Sequence, residues 1–309
     1  MKHERNAEMI TYEEFPEDKT FVDGMKTIES RDTDMGSAYL PNIEYEDCGG
    51  TKRVLQIVTP YTRTPKKYPL VVFVQGSAWM KQDVYTQIPQ LGYLARKGFV
   101  VASVQYRESE IAPFPAQVQD VKAAIRFLRK NAEKYHIQEN NVFVWGDSSG
   151  GHVALLVGLT EHCRELDTDL FPEYSCHVNG IIDFYGVVDI RMEDGFPITE
   201  NHQQPDSPEG LLLGRKNVLE NPELAVKTVP FEYLDGPVPP VLLMHGTKDR
   251  IVSFKHSVRM YEELKKAGKE VEFYRLRNAD HGDPTFFLDS TLDIVIDFIR
   301  RHLQPYSAE

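Results

Sequence analysis

The chain has 309 residues, of which 41% are hydrophobic and 27% charged, a composition typical of soluble globular proteins. This length suits one large α/β domain or two modest ones with a substantial core. Lys and Arg total 35 against 47 for Asp and Glu, and the resulting net charge of −12 disfavours nucleic acid or an anionic membrane as a partner.

The cysteines and the N-terminus limit the cellular context. Three cysteines, Cys48, Cys163 and Cys176, show no metal-ligand spacing, and their odd number argues against a disulfide framework. No run approaches 18 apolar residues, and the first residues lead into no apolar core of signal-peptide length. We therefore expect a cytoplasmic protein that needs no bound metal. The oligomeric state stays open, with a homodimer as the commonest symmetric arrangement.

Residues 1–36 are polar and acid-rich, without sustained periodicity. They nevertheless contain more apolar side chains than a purely disordered segment would have: Ile10, Tyr12, Phe15, Phe21, Val22, Met25 and Ile28. We interpret 1–36 as an N-terminal arm, part of which packs on the body, near the site or against a partner subunit. A single domain at 37–309 follows.

From residue 53 onward, apolar strands alternate with amphipathic helices. The pattern predicts strands at 53–59, 70–74, 99–104, 142–145, 181–185, 241–244 and 271–276, the last with one wetter face, as at a sheet edge. Helices are predicted at 85–96, 116–132, 150–160, 254–267 and along the apolar stripe from Leu288 to Leu303. Continuous apolar strands between helices indicate a mostly parallel central sheet with helices on both faces. In such sheets, functional residues collect at the carboxyl ends of the strands.

One segment, 187–236, breaks this alternation and is rich in Pro, Asp, Glu and Asn. A short helix is predicted within it, with Ser207 as N-cap and Pro208 as its first residue. Because the segment lies between two core strands, on the side where function collects, we predict that it forms a small lid.

The stretch from Asn141 to Gly151 has the form of a nucleophile elbow. The apolar run 142–145 is followed by Gly146-Asp147-Ser148-Ser149-Gly150 and then by a segment with helical spacing. A serine at such an apex sits in a strained backbone conformation, and glycines on either side permit strand and helix to pass closely. The bare pattern also occurs by chance as a turn, but its strand–turn–helix context favours Ser148 as a nucleophile.

A serine hydroxyl needs a base to take its proton, and the base needs an orienting carboxylate. Of the ten histidines, His281 lies in the loop after the strand 271–276, and Asp249 follows the strand 241–244. Both positions are strand carboxyl ends, in the order serine, acid, histidine. The sequence therefore predicts the triad Ser148, Asp249 and His281, with Asp189 as the reserve acid. Asp280 and Asp283 flank the base and are interpreted as loop-shaping residues.

An oxyanion hole needs backbone N–H groups from the residue after the nucleophile and from the loop after an earlier strand. We expect the first from Ser149. The second should come from Gly76 and Ser77, which follow the strand 70–74. Trp79 in the same loop is either a wall of the acyl pocket, and so a substrate-binding residue, or an ordinary core aromatic.

These motifs together resemble the α/β-hydrolase esterases, most closely the hormone-sensitive-lipase-like carboxylesterases and the bifunctional feruloyl and acetyl xylan esterases. The matching segments are 74–79, 146–151, 184–189, 207–214, 239–249 and 280–282, so the resemblance covers the chain from about residue 50 onward. It implies the α/β-hydrolase fold and cofactor-free hydrolysis of carboxylic esters through an acyl-enzyme on Ser148. One segment and one further residue depart from the family pattern: Gln75-Gly76-Ser77-Ala78 replaces His-Gly-Gly-Gly, and Ser253 stands where proline is common.

The natural substrate is not determined by these motifs. The short insertion and acidic surface favour small soluble esters with short acyl chains, while acetylated sugars or xylo-oligosaccharides are implied by the resemblance alone. A peptidase or amidase of the same fold would use the same triad and is the main alternative. A non-catalytic binding protein of this fold is disfavoured because all three triad positions are filled.

Overall fold

The computed structural model describes residues 10–48, 51–63, 66–191 and 201–306, and the chain divides into two units, 1–34 and 35–309. The described part of the first unit, residues 10–34, contains turns and neither helix nor strand. Local hydrogen bonds form within it, such as the one from the Thr11 N–H to the carboxylate of Glu14 at 3.1 Å. The packing expected of the arm stays a prediction.

One sheet runs through the second unit. Its strands in the described ranges are β1 (Gly36–Cys48), β2 (Thr51–Tyr61), β3 (Tyr68–Val74), β4 (Val100–Val104), β5 (Ile137–Asp147), β6 (Gly180–Phe184), β7 (Val241–Gly246) and β8 (Val271–Leu276). Their spatial order is β1-β2-β4-β3-β5-β6-β7-β8. All neighbouring pairs in the series β4-β3-β5-β6-β7-β8 are parallel, which confirms the predicted mostly parallel sheet. β8 lies at an edge, as predicted. The antiparallel β1 was not predicted.

Helices cover both faces of the sheet. They are α1 (Ile88–Arg96), α2 (Ala116–Lys130), α3 (Ser149–Leu159), α4 (Pro208–Leu212), α5 (Pro222–Ala225), α6 (Lys255–Lys266) and α7 (Asp289–Arg301). The alternation of side chains along β3 separates two cores: Val72 and Val74 pack with α2, α3 and α6, whereas Val71 and Phe73 pack with α1 and α7. This two-layer burial explains why β3 reads as an unbroken apolar run.

The described part of the predicted insertion contains short helices separated by turns and irregular segments. Ser207 caps α4, since its Oγ accepts the Gly210 N–H at 3.1 Å, and Pro208 is the first helical residue, as predicted. Short 3₁₀ helices follow at Val226–Thr228 and Pro230–Tyr233. Residues 192–200 lie outside the described residues, and the lid remains a prediction. No helix in the described ranges combines the length and the hydropathy that a membrane span requires.

Candidate active site

The elbow predicted around Ser148 is present at the carboxyl end of the central strand β5. Ser148 has φ 52° and ψ −126°, a conformation that L-residues rarely adopt, and α3 starts at the next residue. A Cβ on Gly146 would lie 2.1 Å from the Gly150 carbonyl oxygen, and one on Gly150 would lie 2.0 Å from the Val74 carbonyl oxygen. Both glycines are therefore required by close backbone contact, as the sequence indicated.

The three side chains proposed as a triad meet at the carboxyl ends of β5, β7 and β8. Ser148 Oγ lies 2.9 Å from His281 Nε2, and His281 Nδ1 lies 2.8 Å from Asp249 Oδ2. The side chain of His281 is 14% exposed and that of Asp249 is fully buried. The geometry is thus that of a serine whose proton can pass to an imidazole oriented by a carboxylate.

The buried carboxylate of Asp249 is surrounded by donors. Its Oδ1 accepts the N–H groups of Ile251 at 2.9 Å and Val252 at 2.8 Å. Burial alone would raise the pKa of Asp249, but hydrogen bonds from His245 and His281 outweigh it and hold this pKa well below its ordinary value. Asp249 is consequently an anion at neutral pH. The reserve acid Asp189 instead pairs with Arg191 at 2.8 Å.

The loop after β3 differs from the expectation at Gly76. The Gly76 N–H donates to Asp147 Oδ1 at 2.7 Å and is therefore not available to a substrate oxygen. Its predicted role as an oxyanion donor is not supported. A Cβ on Gly76 would lie 2.7 Å from Ser148 Cβ, which shows how closely the loop approaches the nucleophile. Gly76 therefore attaches the loop to the elbow. Sequence reasoning missed Asp147 in this role, although its place inside the elbow was visible.

The N–H of Ser77 also has an acceptor, Ser149 Oγ at 2.9 Å. By contrast, the described hydrogen bonds include no acceptor for the N–H groups of Ala78 and Ser149. Ala78 and Trp79 both have positive φ, 53° and 56°, so the loop turns sharply at this point. Of the expected donors, Ser149 keeps an available N–H, whereas the Ser77 N–H becomes available only if the Ser149 hydroxyl moves. Ala78 is an additional candidate donor that was not predicted.

Trp79 holds this loop in place from below. The side chain is 1% exposed, and its Nε1–H donates to His152 Nδ1 at 3.0 Å. The other nitrogen of His152 lies 2.7 Å from the Thr228 carbonyl oxygen, and burial lowers the pKa of His152 to about 4. His152 is therefore neutral and links Trp79 to Thr228. The buried position of Trp79 resembles that of a core aromatic. A contact between Trp79 and an acyl chain stays a prediction.

Known proteins resemble this chain over most of its length. The BD-FAE family model matches residues 55–264. The chain belongs to the BD-FAE family. A solved structure titled "Truncated form of carbohydrate esterase from gut microbiota" is 28% identical with a TM-score of 0.77, covering 88% of this chain and 98% of that one. The α/β-hydrolase fold is thereby established.

Two further comparisons involve longer proteins. Esterase LipC of Mycobacterium tuberculosis is 29% identical over 219 residues, which cover 70% of this chain and 53% of LipC. The solved bifunctional GH43-CE of Bacteroides eggerthii is 30% identical with a TM-score of 0.76, covering 89% of this chain and 39% of that one. This BD-FAE chain therefore spans about half the length of the curated relatives it matches.

Proposed function

We propose that the protein is a serine hydrolase that cleaves carboxylic esters through an acyl-enzyme on Ser148. The observation that carries this proposal is the continuous hydrogen-bonded chain from Ser148 through His281 to Asp249, at 2.9 and 2.8 Å. Membership of the BD-FAE family and the likeness to proteins named as esterases support the same chemistry.

In the proposed reaction, Ser148 Oγ attacks the ester carbonyl while His281 Nε2 takes the hydroxyl proton. The N–H groups of Ser149 and Ala78 stabilise the oxyanion, joined by Ser77 when the Ser149 hydroxyl turns away. His281 then gives its proton to the departing alkoxide, leaving the acyl group on Ser148. Water, activated by the same imidazole, releases the carboxylic acid and restores the serine.

Replacing Ser148 with Ala tests this proposal. The variant retains the fold but has no nucleophile, so we expect kcat for p-nitrophenyl acetate to fall by a factor on the order of 10⁶. Ser290→Ala, at an exposed position in the first turn of α7, serves as a matched control that should change kcat by less than about threefold. Unchanged turnover in Ser148→Ala would eliminate the proposal.

We further propose small soluble esters with short acyl chains as substrates, acetylated sugars among them. The support is the shortness of the insertion and the likeness to a protein titled a carbohydrate esterase. A panel of p-nitrophenyl esters from acetate to decanoate, together with acetylated xylan, should give the highest kcat/KM for the shortest chains. A parallel assay with a peptide anilide separates this proposal from the amidase alternative, for which the anilide would be the better substrate.

A further inference from the structure

The catalytic carboxylate lies against a second imidazole that the proposed reaction does not use. His245, the fifth residue of β7, is fully buried, and its Nε2 lies 3.3 Å from Asp249 Oδ2. The same oxygen is 2.8 Å from His281 Nδ1. Since Oδ1 is occupied by two backbone N–H groups, the second imidazole completes the donor set that a buried carboxylate requires.

Partners on both ring nitrogens fix the tautomer of His245. Nε2 lies 2.9 Å from the carbonyl oxygen of Val252, which can only accept, so Nε2 carries the hydrogen. Nδ1 lies 2.8 Å from Oγ of the buried Ser257 on α6, whose hydroxyl donates to it. An imidazole held in this way donates its Nε2–H to Val252 and keeps the same nitrogen 3.3 Å from Asp249 Oδ2.

The surroundings of this pair are buried and contain few charges. Burial raises the pKa of Asp249, and the interactions with His245 and His281 together lower it. Tyr185, from the segment after β6, and His256, from α6, also lie near the pair; burial raises the pKa of Tyr185 and lowers that of His256 to about 3, so both are uncharged at neutral pH. Besides the base and two backbone amides, the His245 imidazole is therefore a further polar contact of the Asp249 carboxylate, and it limits how Asp249 presents its oxygens to His281.

We propose that His245 is a positioning residue which, held by Ser257 and Val252, donates its Nε2–H to Asp249 and so fixes the oxygen that orients His281. The hydrogen-bonded relay then extends from Ser148 through His281, Asp249 and His245 to Ser257. This inference rests on the proposed function, because it assigns His281 as the base. His245 touches no reacting atom and acts only through Asp249.

The test compares His245→Leu with His245→Gln, whose amide N–H can replace the donor at Nε2. We expect His245→Leu to lower kcat about 10- to 100-fold with KM changed by less than about threefold, since a buried anion loses one donor. Without this donor, the negative charge of Asp249 is less compensated and stabilises the protonated form of His281 more strongly. The acid limb of the kcat/KM profile should accordingly move to higher pH by about half a unit to one unit. His245→Gln should recover most of both effects.

Ser257→Ala is a milder change, because it removes the partner of His245 Nδ1 and lets His245 adopt the other tautomer. We expect the acid limb of the kcat/KM profile to shift in the same direction as in His245→Leu. His256→Leu is the matched control: it removes a buried histidine of the same helix, whose Nδ1 accepts the Val188 N–H at 3.1 Å, and should lower the melting temperature without moving the limb. A loss of kcat in both His245 variants and Ser257→Ala without any shift of the limb would overturn the proposal.

The pH dependence of fluorophosphonate labelling of Ser148 provides the same readout without an ester substrate. Wild-type labelling without ester turnover would contradict the proposed function, while the shift in the labelling profile of His245→Leu would still support the relay. Absence of wild-type labelling would contradict both. Active wild type with an unshifted His245→Leu profile would contradict the role of His245 alone.

Discussion

Asp183, on β6 beneath the elbow, shows how a single buried residue links the site to stability. The side chain is fully buried, and Oδ1 accepts the Gly186 N–H at 2.9 Å, while Oδ2 has no hydrogen-bond partner among the described residues. Burial raises the pKa of Asp183 to about 8, with the Gly186 N–H opposing the rise and nearby Asp147 adding to it. At neutral pH the folded state therefore holds a proton that the unfolded state releases.

The sign of the resulting pH dependence follows from this proton. Between about pH 4 and pH 8 the folded chain binds one more proton at this position than the unfolded chain, so its contribution to stability falls as pH rises. Asp183→Asn removes the titration and keeps the shape. We expect the stability of the variant relative to wild type to increase by about 1–3 kcal/mol from pH 5 to pH 8 in urea unfolding. A difference independent of pH would contradict the assignment.

Gly146 gives a second prediction at the residue scale. Gly146→Ala would place a methyl group 2.1 Å from the Gly150 carbonyl oxygen, where only backbone could move, so we expect a loss of about 2–4 kcal/mol in the free energy of unfolding. Gly236→Ala is the matched control, because a Cβ there has nothing within 4 Å. Equal stability of the two variants would contradict the packing described for the elbow.

At the scale of elements, the acid loop after β7 and the base loop after β8 are joined directly. Asp280 Oδ1 accepts the N–H groups of Arg250 at 3.0 Å and His281 at 2.8 Å, and Oδ2 accepts from Arg250 Nε at 2.6 Å. Asp280 therefore holds the base loop against the acid loop. The sequence indicated a loop-shaping role for Asp280, but its partner across the sheet edge could not be read from local pattern.

Asp280→Ala should loosen this connection without unfolding the chain, because the pair is exposed and exposed pairs contribute little to stability. We expect kcat to fall about 3- to 10-fold with the melting temperature nearly unchanged, since the distance from His281 to Asp249 becomes less well defined. Asp283→Ala, which removes a local cap on Thr285 in the same loop, should change kcat by less than about twofold. Similar kcat values for both variants would contradict the connecting role.

Across the whole molecule, the sequence predicted the elements whose apolar residues have a clear periodicity and the site residues whose order along the chain is characteristic of the fold. The buried runs of β3, β5 and β7 and the amphipathic α2 were predictable because their apolar spacing is unambiguous. The proximity of Ser148, Asp249 and His281 was predictable because each residue follows a strand whose carboxyl end lies at the same edge of the sheet. β1 was missed because Gly36–Cys48 is interrupted by register shifts and by polar residues on an edge strand. The N–H that binds Asp147, and the contact of His245 with Asp249, depend on side-chain orientation, which no local pattern encodes.

The division of the chain gives a prediction at this largest scale. The sheet, both apolar cores and all the proposed catalytic residues lie within residues 35–309. Deleting residues 1–34 should therefore leave the melting temperature within about 3 °C of the full chain, measured by circular dichroism. A collapse of the transition would show that the arm is needed for folding. A raised KM with an unchanged melting temperature would support the predicted packing of the arm near the site.

Detection of the covalent intermediate is the most direct test of nucleophilic catalysis by Ser148. Wild-type protein is mixed with a short-chain ester, quenched with acid within milliseconds and digested, and the peptides are analysed by mass spectrometry. We predict an acyl adduct on Ser148 that is absent from Ser148→Ala and that reaches higher occupancy when deacylation is slowed. Rapid ester turnover with no adduct on Ser148, or with the adduct on another residue, would contradict it.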